Sequence, residues 1–310
     1  MTHPFRFGVQ VDAPFEGMTW ADTCRKVESL GYSTLFVPDH FDEGLGPIAA
    51  MAAAAAVTTE LIVAPLVLDC DYRHPAVLSR ELATIDQISE GRLEVGIGAG
   101  WKATDYEHSG IPMDRPGIRV DRMVEHAAIL KSLLAGETTT FAGQHYQVTD
   151  MPGTPACHTP GGPKFLVGGG APRVLRFAGK FADIVGVNAS IHSGEIDTDA
   201  ALDGMAERID QKVEWVKEGA GARFPEIEIN AWLAALEVTD DRAGMADLMS
   251  QLFGAPPAEV LQSPLALVGT LKEMADTLAE RRERWGYSYH CVPGTKAEEF
   301  APVVAQLTGR

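Results

Sequence analysis

The feature that most constrains the fold is the regular alternation of strand-like and helix-like segments along the chain. Short β-branched runs such as Phe5–Val11, Leu61–Leu68 and Ile184–Val187 alternate with helix-like stretches such as the alanine-rich Pro47–Val57. Counting gives about eight strand–helix units at intervals of roughly 30 to 40 residues, which indicates a parallel sheet with helices outside it. A doubly wound sheet is the alternative, but eight units closing on themselves favour an α/β fold of the (β/α)8 TIM barrel type. We expect residues 1–310 to form one such domain with loop insertions.

The later part of the chain continues this pattern around one insertion. Thr138–Thr149 carries β-formers around Ala142 and Gly143 and predicts a small hairpin. The elements predicted after it include a helix near Asp199–Glu218, a strand at Ile227–Leu236, helices near Arg242–Phe253 and Thr270–Arg284, a strand at Ser288–Val292 and a terminal helix at Ala297–Leu307.

The charge balance excludes two classes of general partner. The chain of 310 residues carries a formal net charge of −17. Nucleic acid and anionic membranes both reward an excess of Lys and Arg, so neither is expected as a partner. No apolar run reaches the ~18 residues of a membrane span, and the segment MTHPFRFGVQ lacks the hydrophobic run of a signal peptide. We therefore expect a cytoplasmic protein.

The cysteines and histidines give no sign of a metal site. The four cysteines lie far apart without a C-x-x-C pair, which fits a reducing compartment. The histidines other than His40, among them His192, show no metal-ligand spacing. Asp105 and Glu107 have the pattern of a solvated face. The sequence predicts no metal.

The stretch Tyr72–Trp101 holds a turn, an amphipathic helix, a strand and a glycine-rich turn in succession. Pro75 suits the first helical turn, where its missing N–H costs nothing. The strand Arg92–Gly98 runs straight into a turn at Gly100, where backbone N–H groups can approach a ligand closely. A dinucleotide-binding loop is excluded because that motif needs a helix to open at once, whereas Lys102–Gly117 is predicted to be a loop.

The segment RHPAVLSRELATIDQISEGRLEVGIGAGW, residues 73–101, resembles the signature of the bacterial luciferase-like superfamily of flavin and deazaflavin oxidoreductases. The resemblance continues through LFVPDH (35–40), KFLVGGGAP (164–172), FADIVGVN (181–188) and LVGTLKEMADTL (267–278). In detail the chain is most similar to the branch that depends on the deazaflavin coenzyme F(420). The resemblance implies this cofactor, with FMN as the alternative, a small-molecule substrate and a homodimer formed through helices on the barrel's side. Pro47–Val57 is a candidate dimer contact, although packing against its own barrel would explain that helix equally well.

Barrel enzymes carry their chemistry where strands end and βα loops begin. The second strand ends at Pro38, Asp39 and His40. Histidine can donate or accept a proton near neutral pH, and an adjacent carboxylate can tune it. The resemblance implies that His40 is catalytic, and we expect Asp39 to tune it. The alternative is that Asp39 caps a turn while His40 packs under a loop.

The third and fourth strands are expected to supply the ring pocket. In relatives the middle of the third strand supports the flavin face and can include a non-proline cis peptide. The third strand and the glycine turn after the fourth strand give six expected pocket residues, namely Leu66, Val67, Asp69, Ala99, Gly100 and Trp101. The alternatives are a plain buried strand and a tryptophan that merely fills the barrel mouth.

A glycine-rich segment is the phosphate candidate. Gly168, Gly169, Gly170 and Ala171 follow a strand and open a helix, so free N–H groups and the helix dipole point at one anion. A tight structural turn is the alternative. The sixth strand ends at Val187 and Asn188, where Asn188 is a candidate for binding the ring edge or the cofactor tail.

The sequence thus predicts an oxidoreductase that uses reduced coenzyme F(420) for hydride transfer to or from a C=C, C=N or C=O group, with the proton handled by His40. The alternative is an FMN-dependent monooxygenase that uses dioxygen and a partner flavin reductase. A protein that has lost its cofactor is a third hypothesis, against which His40 and the intact glycines argue.

Two departures separate the chain from the branch that oxidises glucose 6-phosphate. That branch carries a tryptophan shortly after the catalytic His, where this chain has residues 43–46 beginning with Glu43. It also carries a glutamate after the glycine turn, where this chain has Trp101. Sugar-phosphate oxidation is therefore not carried over. Substrate selection is expected in the loops Asp42–Gly46, Lys102–Gly117 and Gly186–Asp197.

Overall fold

The computed structural model describes residues 3–42, 44–191 and 193–310, so Glu43 and His192 lie outside the described residues. The strands are β1 (Arg6–Gln10), β2 (Thr34–Val37), β3 (Ile62–Pro65), β4 (Leu68–Asp69), β5 (Glu94–Gly98), β6 (Thr138–Ala142), β7 (Gln147–Pro152), β8 (Lys164–Gly169), β9 (Ile184–Val187), β10 (Glu228–Trp232), β11 (Ala235–Val238), β12 (Ala266–Gly269) and β13 (Tyr287–Pro293). The helices are α1 (Trp20–Ser29), α2 (Pro47–Val57), α3 (Pro75–Ile88), α4 (Ala103–Ser109), α5 (Pro116–Leu134), α6 (Pro172–Phe181), α7 (Thr198–Asp203), α8 (Ala206–Ala220), α9 (Arg242–Phe253), α10 (Pro257–Gln262), α11 (Leu271–Trp285) and α12 (Ala297–Leu307).

The main sheet closes into the predicted barrel. Its strand order is β3-β2-β1-β13-β10-β9-β8-β5-β4, and all of its pairs are parallel. The two ends of this order are consecutive pieces of one strand, because β3 and β4 are separated only by Leu66 and Val67. The nine strands therefore form the eight strand positions of a closed barrel, which we call staves, with β3 and β4 together counted as one. The (β/α)8 prediction is confirmed.

The helices cover the outside of this ring. Buried apolar residues from the strands and from the inner helix faces form one large core. In α2 the buried face includes Ala50, Met51 and Ala54, and these residues pack into the core of their own chain. No helix in the described chain is long and apolar enough to cross a bilayer.

The lower end of the barrel is filled by side chains and tied by an ion pair. Arg6 begins β1 and donates to Glu94 at 2.8 Å and to Glu228 at 2.6 Å, which begin β5 and β10. The guanidinium lies over the ring of Tyr289, 3.5 Å from its centroid. The Tyr289 hydroxyl donates to Thr34 at 2.7 Å. These contacts join staves from across the ring at the end opposite the predicted site.

The local structure departs from the sequence predictions in three places. Lys102–Gly117 is not a continuous loop, because α4 occupies its first half. The predicted helix near Asp199–Glu218 is interrupted between α7 and α8. The strand predicted at Ile227–Leu236 is divided into β10 and β11, and β11 leaves the barrel to pair with β12. The hairpin predicted at Thr138–Thr149 is confirmed as the antiparallel pair β6 and β7.

Candidate active site

The C-terminal ends of the staves surround a cavity of about 360 Å³. The predicted site residues that line it are Asp39, His40, Leu66, Val67, Asp69, Ala99, Gly100, Trp101, Gly168, Gly169, Gly170, Ala171 and Asn188. Val187 is the exception, because its side chain is fully buried and its carbonyl accepts a hydrogen bond from Tyr287 at 3.0 Å. The expectation that Val187 contacts a cofactor is therefore not supported, and this residue belongs to the barrel wall.

His40 stands at the cavity with a carboxylate beside it. Its Nδ1 lies 2.6 Å from Oδ2 of Asp105. The other Asp105 oxygen accepts from the backbone N–H of Phe41 at 3.2 Å, and the Tyr72 hydroxyl donates to Oδ2 at 3.3 Å. The His40 side chain is 30% exposed and that of Asp105 only 2%. His40 also meets Trp101 edge-on, with 5.4 Å between ring centroids. The imidazole is thus fixed at one nitrogen and reaches the cavity.

The prediction that Asp105 belongs to a solvated face was wrong. The residue lies in the first turn of α4, which turns its carboxylate inward toward the end of β2. An Asp in a first helical turn is a recognised preference, so a helix predicted at this position would have been the signal to find it. Because this segment was predicted to be a loop, the partner of His40 was missed.

Asp39 has a different partner from the one predicted. It makes a two-pronged ion pair with Arg73, at 2.6 and 2.9 Å. It also accepts from the backbone N–H of Asp69 at 3.1 Å. Burial raises the pKa of Asp39, and the neighbouring Arg73 opposes that rise. The carboxylate in contact with the His40 ring is therefore that of Asp105, and Asp39 ties the end of β2 to the loop before α3.

Asp69, predicted as a polar contact, is a buried carboxyl group at the cavity wall. Tyr106 donates to it at 2.8 Å and the N–H of Asp71 at 2.9 Å. Burial raises the pKa of Asp69 to about 7, and the negative charges of Asp71 and Asp39 add to that rise. Asp71 itself forms an ion pair with Arg122 at 2.6 Å. A carboxyl that exchanges its proton near neutral pH therefore lies at the cavity.

The third stave provides an apolar platform. Leu66 and Val67 are half-buried, line the cavity and pack on an apolar cluster inside the barrel that includes Phe36 and Leu166. The peptide between Leu66 and Val67 is cis, as relatives of the predicted family allow. Trp101 lines the same cavity. The platform and the His40–Asp105 pair are therefore parts of one site.

The glycine-rich segment is closely packed at Gly170 and leads into a helix without a side-chain cap. Ala171 is the N-cap residue of α6, and among the described residues no side chain caps this helix. Its first N–H groups are left for solvent or a ligand. Gly170 also has a packing reason, since a Cβ there would lie 2.5 Å from the backbone of Ala189. Arg173 pairs with Asp121, so its charge is used on the surface.

Asn188 contributes a buried acceptor that the rest of the described chain leaves without a donor. Its Oδ1 is shielded from solvent and makes no hydrogen bond to the described residues. Buried polar atoms are nearly always paired, so a donor supplied by a ligand would complete this one. The N–H at the edge of a flavin or deazaflavin ring has the required chemistry. Within the described ranges, no group of three His, Cys, Asp or Glu side chains is placed to hold a metal.

Comparison with known proteins identifies the wider group. The chain is 27% identical over 304 residues to the pyrimidine monooxygenase RutA of Agrobacterium fabrum, covering 90% of this chain and 78% of that one. It is 26% identical over 258 residues to the F(420)-dependent glucose-6-phosphate dehydrogenase of Nakamurella multipartita, covering 79% and 71%.

Solved structures show the same fold. The coenzyme F(420)-dependent tetrahydromethanopterin reductase of Methanopyrus kandleri superposes with a TM-score of 0.77 at 18% identity and covers 99% of each chain. The family model described as luciferase-like monooxygenase matches residues 3–214. The chain thus belongs to the luciferase-like monooxygenase family.

Proposed function

We propose that the protein is a coenzyme F(420)-dependent oxidoreductase in which His40 handles the proton that accompanies hydride transfer. The observation that carries the proposal is the 2.6 Å contact between His40 Nδ1 and Asp105 at the cavity mouth. Hydride transfer to a C=O or C=N group leaves a heteroatom that needs a proton, and a fixed histidine can supply it. The same constellation works in the reverse direction as a base.

The described residues fit the cofactor in three places. Leu66 and Val67 form the platform on which a flat ring would rest. The unpaired Oδ1 of Asn188 would accept a hydrogen bond from the ring edge. The uncapped start of α6, with Gly168–Ala171, would hold a phosphate through backbone N–H groups. When bound, the reduced deazaflavin supplies the hydride.

The protein's own part in the reaction is positioning and proton transfer. Asp105 fixes His40 at Nδ1, so Nε2 is the atom left for the substrate. We assign Asp105 a positioning role, because its contact is with His40 Nδ1. Holding the substrate and ring together at the barrel mouth supplies much of the remaining rate enhancement.

A second candidate is an FMN-dependent monooxygenase, which would use dioxygen and require a partner flavin reductase. The observation that favours it is the similarity to RutA over 90% of the chain. FMN would use the same platform and the same phosphate site. A homodimer remains a prediction for both candidates.

The deciding experiment titrates the apo-protein with coenzyme F(420) and with FMN, side by side, by fluorescence. Tight binding of the deazaflavin with weak binding of FMN is expected. An Asn188→Leu variant should weaken deazaflavin binding, because it removes the unpaired acceptor and keeps the apolar bulk. The reverse preference would overturn the first candidate in favour of the second, and binding of neither would overturn both.

A further inference from the structure

The cavity has two unlike sides. One side carries His40, Asp69 and the other polar groups described above. A second part of the lining consists of Ile196, Ala200, Ala201, Met205, Phe253 and Leu265, which we call the apolar wall. These residues come from α7, α9 and the loops beside them, which stand above the barrel rather than in it. The wall is therefore separate from the strand ends to which the cofactor is assigned.

Two residues of the apolar wall, Met205 and Phe253, pack in a cluster distinct from the barrel core. Met205, Val260, Ala266 and Val268 belong to a buried cluster distinct from the barrel core. The parallel pair β11 and β12 forms the back of this cluster.

The two buried cations near the wall, Arg281 and Lys212, bind other groups of the protein. Arg281 is 4% exposed and donates to backbone carbonyls of the segment that carries the wall, at 2.7 Å to Ser263 and 2.6 Å to Ala266. Lys212 is 1% exposed, pairs with Asp203 at 2.5 Å and donates to the Gly170 carbonyl at 2.8 Å. Neither cation lines the cavity. Arg281 and Lys212 therefore stabilise the segments around the cavity without adding a charge to its surface.

The cations that do line the cavity are also engaged. Lys102 pairs with Asp42, and Arg119 donates to the carbonyls of Ala99 and Asp114. The carboxyl groups of Asp39, Asp69 and Asp105 lie on the polar side. The donors of Lys102 and Arg119 are thus directed at the protein, and the apolar wall itself offers an anionic substrate no polar partner.

We infer that the substrate is a neutral, largely hydrocarbon carbonyl, imine or alkene compound whose apolar part lies on the apolar wall. This inference rests on the proposed function for the reacting group alone. The wall selects the rest of the molecule. Sugar phosphates and carboxylic acids are excluded as good substrates.

The test uses the cofactor-free protein and the uncharged fluorescent probe N-phenyl-1-naphthylamine. The probe is displaced with 2-alkanones of increasing length and with alkanoates of matched length. We expect the dissociation constant of the ketones to fall about fourfold per added methylene until the wall is covered. The alkanoates should bind at least about tenfold more weakly, because their charge would be desolvated without a partner.

A matched pair of variants locates the binding to the wall. Ala201→Trp fills the space beside α7, whereas Leu202→Trp adds the same ring one residue later, at a position that is 39% exposed and outside the wall. The first variant should raise the dissociation constant of the longest ketone at least about tenfold, and the second should leave it unchanged. A further variant, Leu265→Lys, should shift the preference toward alkanoates, which guards against a folding defect in the first.

Equal binding of ketones and alkanoates, or equal behaviour of the two tryptophan variants, would overturn the inference. The assay contains no cofactor, so a failure of the proposed function would appear only in the coenzyme titration. Repeating the ketone titration with F(420) bound should leave the chain-length dependence intact. Its loss there would also count against the inference, because it would show that cofactor and probe share one surface.

Discussion

His40 and Asp105 divide two tasks between them. The imidazole faces the cavity, and the carboxylate holds it through Nδ1. An amide in place of the carboxylate keeps the shape but cannot balance a positive charge on the ring. We therefore expect Asp105→Asn to lower kcat/KM about 100-fold and to shift the pH profile of the rate, while the dissociation constant of the cofactor stays constant. Steady-state kinetics across pH, paired with cofactor titration, measures both.

The control for that variant is Asp39→Asn. Asp39 pairs with Arg73 rather than with His40, so its loss should lower the stability of the fold more than Asp105→Asn does. The assignment fails if Asp39→Asn, and not Asp105→Asn, changes the pH profile.

Asp69 makes stability depend on pH in a defined direction. Its folded pKa is about 7, above the value near 4 expected in the unfolded chain. Its stabilising contribution is full below the unfolded pKa and is lost as pH rises toward 7, because only the unfolded chain releases the proton in that window. Asp69→Asn should lack this loss, so its free energy of unfolding relative to the parent should rise between pH 4 and 7 by up to about 4 kcal/mol.

Urea unfolding of the apo-protein at several pH values measures that difference. Asp276→Asn, an exposed position in α11, is the control and should run parallel to the parent. A constant difference between the Asp69 variant and the parent from pH 4 to 7 would contradict the raised pKa.

Most site residues could be predicted because they follow directly from strand ends. His40 and Gly100 each come just after the C-terminal end of a stave, which a pattern of alternating elements locates, and Leu66 lies within the third stave. Asp105 could not be found in the same way, because its partner is 65 residues earlier in the chain and only the closed barrel brings them together. The pairing of Asp39 with Arg73 was missed for the same reason, since adjacency in sequence suggested His40 instead.

At the scale of elements, the turn after β5 depends on a glycine in the left-handed region. Gly100 has φ +73°, and a Cβ there would overlap the Tyr106 hydroxyl and the Asp69 carboxylate. Gly110 at the end of α4 has φ +74° with open space around it. At both positions a side chain would be strained by the left-handed backbone. Only at Gly100 would its Cβ also overlap neighbouring atoms.

We expect Gly110→Ala to lower the free energy of unfolding by about 1–2 kcal/mol, from the left-handed backbone alone. Gly100→Ala should lower it by clearly more and should also weaken cofactor binding, because the overlap displaces Tyr106 and, with it, Asp69 at the cavity wall. Thermal unfolding and the cofactor titration measure the two effects. Equal losses in both variants would show that the turn relaxes without disturbing the site.

Element boundaries were well predicted where the signal is local. Helices α2, α9 and α12 have the predicted bounds, and in α2 a proline marks the start. The additional elements α10 and β12 were missed. The partner of β12 is β11, and the two strands are separated in the chain by α9 and α10. A short apolar run such as Ala266–Gly269 becomes a strand only when that partner is present.

At the scale of the whole molecule, Arg6 joins three staves at the lower end of the barrel. Its removal would leave Glu94 and Glu228 without their cation in a mostly buried place. We expect Arg6→Met to lower the free energy of unfolding by about 3–5 kcal/mol. The variant that also carries Glu94→Gln and Glu228→Gln should recover much of that loss, since no uncompensated charge remains. Urea unfolding at pH 7 compares the three proteins, and a triple variant no more stable than Arg6→Met would refute the electrostatic explanation.

The overall architecture was predictable because it depends on the order of elements rather than on any single contact. Eight parallel strands with helices between them leave few arrangements that bury both faces of the sheet. Closure itself requires β3 and β4 to pair with different neighbours, which is a property of the assembled ring.

The filled lower end of the barrel also determines the route by which ligands enter and leave. With Arg6 below and an apolar cluster in the interior, cofactor and substrate have the mouth in common as their way in and out. Under the proposed function, a ring on Leu66 and Val67 would be held in place while a substrate occupied the space between it and the mouth. Binding and release would then be ordered, with the cofactor binding first and leaving last. Excess substrate would slow each cycle, because it would trap the spent cofactor in the barrel.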